Sequence, residues 1–307
     1  MKYIGLLSLF IMTMSCKKEL SKNSEKEEHI DYLEVIKEGY ELSSNGENSK
    51  AVLVLFGGYP EVPKDVKEQF NILPIAKENQ VAVLIVNYNQ KLYLEEEEKK
   101  QLAERLLGIL KEHKLPLDNL YIGGFSSGGN VSLLLSSYII GHPELDFSPK
   151  GVFIADSPID LAALYYAAEK NLENNFSKPS VEESTWIIEQ FTTQFGNPHL
   201  NLSKYEYHSV FTLETDDTHN ISELKNTKIR LYTEPDTLWW QENRMAAYEQ
   251  TNAFYIKKLA ASLRAKQFKD VVYIPTENKG YRANGERHPH SWSIVDEKDL
   301  IEWMLSE

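Results

Sequence analysis

The chain has 307 residues, 42% of them hydrophobic, enough for one large core, so a single domain carrying an insertion is the expected organisation. Its formal net charge is −13, from 46 acidic against 33 basic residues, which argues against a nucleic-acid partner and against a domain held to anionic lipid by charge. With one cysteine in the whole chain there is no disulfide framework to stabilise it.

Met1-Lys2 is followed by an apolar run from Ile4 to Met14, too short to span a membrane and reading as a secretory signal. The run ends in Thr13-Met14-Ser15-Cys16, which resembles a relaxed bacterial lipobox cleaved before Cys16, with Thr13 in place of the usual Leu and Met14 in place of a small residue. A lone cysteine is often a buried core residue. This one closes a signal-like segment ahead of a charged stretch, so lipidation is the better reading. The expected organisation is a signal over 1–15, a lipidated Cys16 with a flexible tether over 16–35, and a domain over 36–307. Such a protein is exported and lipid-anchored to the bacterial cell envelope, facing the periplasm or the surface, and its membrane contact is the anchor.

Strand-like apolar runs then occur at Val52–Phe56, Val81–Val86, Leu120–Ile122, Val152–Ala155, Ile229–Tyr232 and Val271–Ile274. Most are continuously apolar, as expected of parallel strands buried on both faces. Helical segments separate them at about Lys64 to Glu78, Glu95 to Glu112, Val131 to Ile140, Gln241 to Lys266 and Glu297 to Leu305. The alternation predicts an α/β fold, a mostly parallel central sheet with helices on both faces. Ahead of Val52 there is room for only one or two short strands. Between about 160 and 224 lies a long insert with two helical stretches, Leu161–Asn175 and Val181–Phe195, the second opening on a capping box at Ser180 to Glu183.

Gly124-Phe125-Ser126-Ser127-Gly128 is the chemical centre of the sequence, a G-x-S-x-G pattern between an apolar strand and an apolar helix. The glycines let strand and helix approach closely around a strained turn, which exposes the Ser126 hydroxyl and sets the Ser127 N–H where an oxyanion develops. Such a serine needs an acid and a base. After a later strand come Thr233-Glu234-Pro235-Asp236, and after the last strand comes a loop carrying His288-Pro289-His290-Ser291-Trp292.

On these residues the chain resembles the α/β-hydrolase superfamily, in its esterase and lipase-like branch, over roughly residues 50 to 305. The elbow, the Phe56-Gly57-Gly58-Tyr59 turn and the Ser–Asp–His order carry the resemblance. It implies a triad of Ser126, Asp236 and His290, with Ser127 and either Gly58 or Tyr59 supplying oxyanion donors. Glu234 is the alternative acid, nearer the strand end with a longer side chain. Asp156 and Asp160 are further candidates, since some relatives keep the acid one strand earlier, but Asp160 reads more simply as the N-cap of the run from Leu161. His288 is the alternative base; it precedes a proline, and His290 lies closer to the final helix. Two histidines one residue apart also suit zinc, but no third ligand cluster stands out, and the resemblance calls for no cofactor.

The insert is expected to form a helical cap over the site. Its Tyr165, Tyr166, Trp186, Phe191 and Phe195 are expected mostly to form the cap's own core, and among Trp239, Trp240 and Trp292 at least one is expected to shield the triad. The implied activity is hydrolysis of a carboxylic ester, on a small molecule or a polymer, through an acyl-enzyme. Peptidase, thioesterase or lipase activity would use the same constellation. An inactive hydrolase-fold lipoprotein that binds a ligand or partner is the alternative from another class.

Overall fold

The computed structural model describes residues 32–88 and 91–306. The signal segment, Cys16 and most of the expected tether lie outside the described residues. Eight strands form one sheet: β1 (Leu33–Lys37), β2 (Tyr40–Ser44), β3 (Ala51–Phe56), β4 (Val81–Val86), β5 (Leu120–Phe125), β6 (Pro149–Ala155), β7 (Lys228–Thr233) and β8 (Asp270–Pro275). Their order across the sheet is β1-β2-β4-β3-β5-β6-β7-β8. Pairing is parallel from β4 to β8, while β1 and β2 form a short hairpin that joins β4 antiparallel. The sheet begins at Leu33, a few residues inside the stretch assigned to the tether.

Helices α1 (Pro63–Gln69), α2 (Leu73–Glu78), α3 (Glu96–Glu112) and α4 (Ser127–Gly141) belong to the first half of the sheet. The insert supplies α5 (Leu161–Asn174), α6 (Lys178–Phe195) and α7 (Ser203–His208), and α8 (Thr237–Arg244), α9 (Asn252–Ala265) and α10 (Glu297–Leu305) complete the chain. The apolar strands have a simple cause. Val52, Val54 and Phe56 of β3 pack against Leu106 of α3, Leu134 of α4 and Leu259 of α9 in one core. Leu53 and Leu55 of the same strand join Val66 of α1, Ala76 of α2 and Ile301 of α10 in another. Successive side chains point to opposite faces, so a strand covered on both sides must be apolar throughout.

Three boundaries differ from expectation for identifiable reasons. The segment from Lys64 to Glu78 is two helices, because the chain turns at Phe70 and Ile72 to bury both, and Pro74 sits in the first turn of α2. The segment from Gln241 is also two, with Met245 in the left-handed region (φ 53°) ending α8. Helix α6 starts earlier than the Ser180 capping box implied, since Ser177 caps it and Lys178-Pro179 open it.

Register aligns the strand ends. Phe56 lies opposite Gly124, Phe125 opposite Ala155, Ala155 opposite Tyr232, and Thr233 opposite Pro275. The residues that follow β3, β5, β6, β7 and β8 therefore emerge side by side along one edge, the carboxyl end where parallel sheets place ligands.

Candidate active site

Ser126 is the first residue past β5 and the last before α4, with φ 52° and ψ −127°. A non-glycine residue there costs roughly 1–3 kcal/mol and persists only where its surroundings over-determine it. They do so here: Ser126 N–H donates to Ala155 O at 2.9 Å, and Gly129 N–H donates back to Ser126 O at 3.0 Å. The neighbouring glycines answer to close approach. A Cβ on Gly124 would lie 2.3 Å from the Gly128 backbone, and one on Gly128 would lie 2.2 Å from Phe56 O. Half-buried Ser126 is thereby left lining a cavity at the sheet edge.

His290 lines the same cavity. Its Nδ1–H donates to Asp156 Oδ2 at 2.7 Å, and its ring packs on Phe125 with centroids 4.4 Å apart. Asp156 occupies the position after β6 that Ser126 occupies after β5, likewise in the left-handed region (φ 46°), and is 3% exposed. The Thr233 hydroxyl donates to its other oxygen at 2.6 Å, and Asn252 Nδ2 donates to its carbonyl at 2.8 Å. With Nδ1 committed to a carboxylate, His290 Nε2 is the free ring nitrogen. Among the described residues no direct hydrogen bond joins it to Ser126, and both side chains line the one cavity.

Asp236, the acid expected from sequence, does not meet His290. Its carboxylate caps α8 through Trp239 N–H at 3.0 Å and accepts from Arg287 Nη2 at 2.6 Å. The helix that begins at Thr237 and the nearby guanidinium consume it. Glu234 is also elsewhere: buried, it accepts from Thr276 Oγ1, Lys279 N–H and Gly280 N–H, each at 2.9 Å, and pairs with Arg287. Both carboxylates fasten the loop that carries His290. Asp160 has the capping role expected of it, accepting from Ala163 N–H at 2.9 Å. The other oxygen accepts Leu213 N–H at 2.8 Å, and burial pushes its pKa up to about 6.

His288 is 4% exposed and packs on Trp239, with centroids 4.5 Å apart. Its Nδ1 accepts His290 N–H at 3.2 Å, while Nε2 has no partner among the described residues. Burial holds its pKa at about 3, so the ring is neutral. The two expected oxyanion turn donors also separate. Gly58 N–H donates to Glu61 Oε2 at 2.7 Å, whereas Tyr59 N–H donates to Ser127 Oγ at 3.0 Å, at the start of α4. A Cβ on Gly58 would lie 2.9 Å from that of Ser126, so the turn passes directly beside the serine. The Ser127 N–H, in the first turn of α4, has no intrahelical acceptor.

No protein-family model and no curated protein sequence matches the chain. Solved structures do. One of two esterases from the fungus Rhizomucor miehei is similar with a TM-score of 0.55 and 14% identity, covering 89% of this chain and 82% of that one. Carboxyl esterase 2 from Tuber melanosporum gives 0.53 at 14% identity over 89% and 83%. An S-formylglutathione hydrolase from Agrobacterium tumefaciens gives 0.51 at 11% identity over 89% and 92%. The fold is that of the α/β-hydrolases.

In this α/β-hydrolase fold the insert covers the serine. Helices α5 and α6 pack through Leu161, Tyr165, Phe191 and Phe195, the expected cap core. Between them and the sheet edge lies a cavity of about 310 Å³, which Leu164, Ala168, Trp186 and Ile187 line from the cap side. Trp186 also stacks on Tyr59, with centroids 5.2 Å apart and planes 12° from parallel. Trp292 is buried beside Phe125, and its indole N–H donates to Glu61. Glu61, which carries no signal in the sequence, thus touches both the Gly57-Gly58-Tyr59 turn and the histidine loop. Burial raises its pKa above the usual carboxylate range.

Proposed function

We propose that the chain is a serine hydrolase cleaving a carboxylic ester, with Ser126 as nucleophile, His290 as general base and Asp156 as the acid. The observation that carries this reading is the 2.7 Å bond from His290 Nδ1 to a buried aspartate, made by an imidazole that lines the same cavity as an elbow serine. The similar structures named above are, by name, esterases and an S-formylglutathione hydrolase, which favours acyl transfer to water.

Asp156 fixes the tautomer with the proton on Nδ1, leaving Nε2 to take the Ser126 proton as the hydroxyl attacks the acyl carbonyl. The Ser127 and Tyr59 amides receive the oxyanion, Tyr59 exchanging its bond to Ser127 Oγ for one to substrate. Collapse expels the alcohol with a proton from His290, and a water activated by the same ring releases the acid. The cap excludes bulk water while these charges develop. By the sequence reading, the enzyme is held at the bacterial envelope by lipid on Cys16.

Labelling of the full-length chain with a fluorophosphonate probe tests the first reading. Labelling should be lost in Ser126→Ala and His290→Ala; a folded wild type that never labels overturns it. For the anchor, Cys16→Ser should leave the membrane fraction, and a variant that stays there rules out the lipid.

A further inference from the structure

The cavity is chemically mixed. Its largest apolar lining comes from Leu164, Trp186 and Ile187 of the cap, beside Asn171, Ser180 and Ser184. Arg244, at the end of α8, and Arg282, in the loop after β8, also line it. Among the described residues Arg244 has no carboxylate within ion-pairing distance, and Arg282 has only an exposed Glu286 at 3.9 Å. The two other charged lining residues are Lys91, already paired with Glu98 at 2.9 Å, and the exposed Glu183 of α6. A cation excess around a cavity is a departure in a chain of net charge −13.

His288 supplies a third donor. Because Nδ1 accepts a backbone N–H, its proton resides on Nε2, which is buried and has no partner among the described residues, and His288 is one of the residues lining the cavity. A buried donor left unpaired is costly, and a ligand acceptor would relieve it. Arg244, Arg282 and His288 all line this one cavity.

We infer that Arg244, Arg282 and His288 Nε2–H form a subsite for an anionic oxygen group, carboxylate or phosphate class, carried by the substrate. The substrate is then an ester with an apolar portion against Leu164, Trp186 and Ile187 and an anionic terminus at the two arginines. This deepens the hydrolase reading and rests on the cavity being its active site. Guanidinium groups bind such anions through charge-assisted, often paired hydrogen bonds.

The test measures binding, so that it does not depend on turnover. Monobenzyl glutarate, its neutral methyl ester and benzyl 4-phosphonobutanoate are titrated by calorimetry into the full-length chain carrying Ser126→Ala. Binding here requires no productive orientation, so either side of the ester bond is sampled. The anionic ligands should bind about tenfold or more tightly than the neutral one, in keeping with charge-assisted bonds. The better of the two anions identifies the class. Adding Arg244→Gln and Arg282→Gln should bring the ratio to about one, while the paired Arg→Lys changes should restore part of it. Equal affinity for charged and neutral ligands, or a preference that survives both glutamines, overturns the subsite. A preference that holds in a chain whose wild type never labels would remove the hydrolase reading alone; labelling without preference would remove the subsite alone.

Discussion

The indole N–H of Trp292 donates to the Glu61 carboxylate at 3.2 Å, and the same oxygen receives Gly58 N–H at 2.7 Å. One half-buried acid therefore ties the turn bearing Tyr59 to the loop bearing His290. Glu61→Ala should lower kcat/KM by about tenfold or more, through misplacement rather than lost chemistry. Glu61→Gln keeps a carbonyl acceptor and should lose less. Steady-state kinetics on both, with circular dichroism as the fold control, checks the order; equal activity of Ala and wild type would deny the tie.

The acid assignment separates two isosteric changes. Asp156→Asn should reduce kcat by roughly 10²–10⁴-fold, because the amide no longer holds the Nδ1–H tautomer. Asp236→Asn should remain within a few-fold of wild type, while Asp236→Ala loses a helix cap worth about 1 kcal/mol. Kinetics and urea midpoints on the same proteins distinguish them, and the reverse ranking would return the role to Asp236.

Gly124→Ala should be destabilised by several kcal/mol or fail to fold, since its methyl meets the α4 backbone at 2.3 Å, where no rotamer gives relief. Soluble yield and thermal midpoint report it. Gly108→Ala, on the middle of α3 with nothing within 4 Å of its added Cβ, is the control and should be neutral or stabilising.

Asp160 gives a pH signature. Its folded pKa of about 6 stands above the ordinary 3.8, so the folded state binds its proton more tightly than the unfolded state. The resulting stability is full below pH 3.8 and is lost as pH rises through about 6. Asp160→Asn still caps α5 but cannot ionise, and the difference in stability between variant and wild type should grow from pH 4 to pH 7 by at most roughly 3 kcal/mol. Urea titrations at both pH values measure it; a constant difference would mean that Asp160 titrates normally.

The sheet was legible because burial on both faces forces uninterrupted apolar runs, and Val52–Phe56 or Val81–Val86 admit no other reading. Ser126 and His290 were legible because their local chemistry is peculiar: glycines around one, a polar loop between last strand and last helix around the other. The acid was not. Three aspartates follow strands, and order along the chain favoured the later one. Capping logic was available: Asp236 precedes an apolar helical start at Leu238-Trp239-Trp240 just as Asp160 precedes Leu161, and both spend a carboxylate oxygen on a helix amide. Asp156 lacks such a helix, which was the signal to keep it. Helix breaks at Phe70–Ile72 and Met245 were hidden because tertiary burial and a left-handed residue, not a proline or glycine, end those helices.

Placing the acid on β6 also changes what the cap means for the lineage of such a molecule. The proposed nucleophile and acid, Ser126 and Asp156, both precede Leu161, so the whole inserted segment enters the chain after their relative position has been set by two adjacent strands. An acid on β7 would have put the insert between them, and every change in its length would have threatened their alignment. Here the roof over the serine is a modular appendage: it can be lengthened, shortened or exchanged to admit other substrates while the Ser126–Asp156 spacing beneath stays constant.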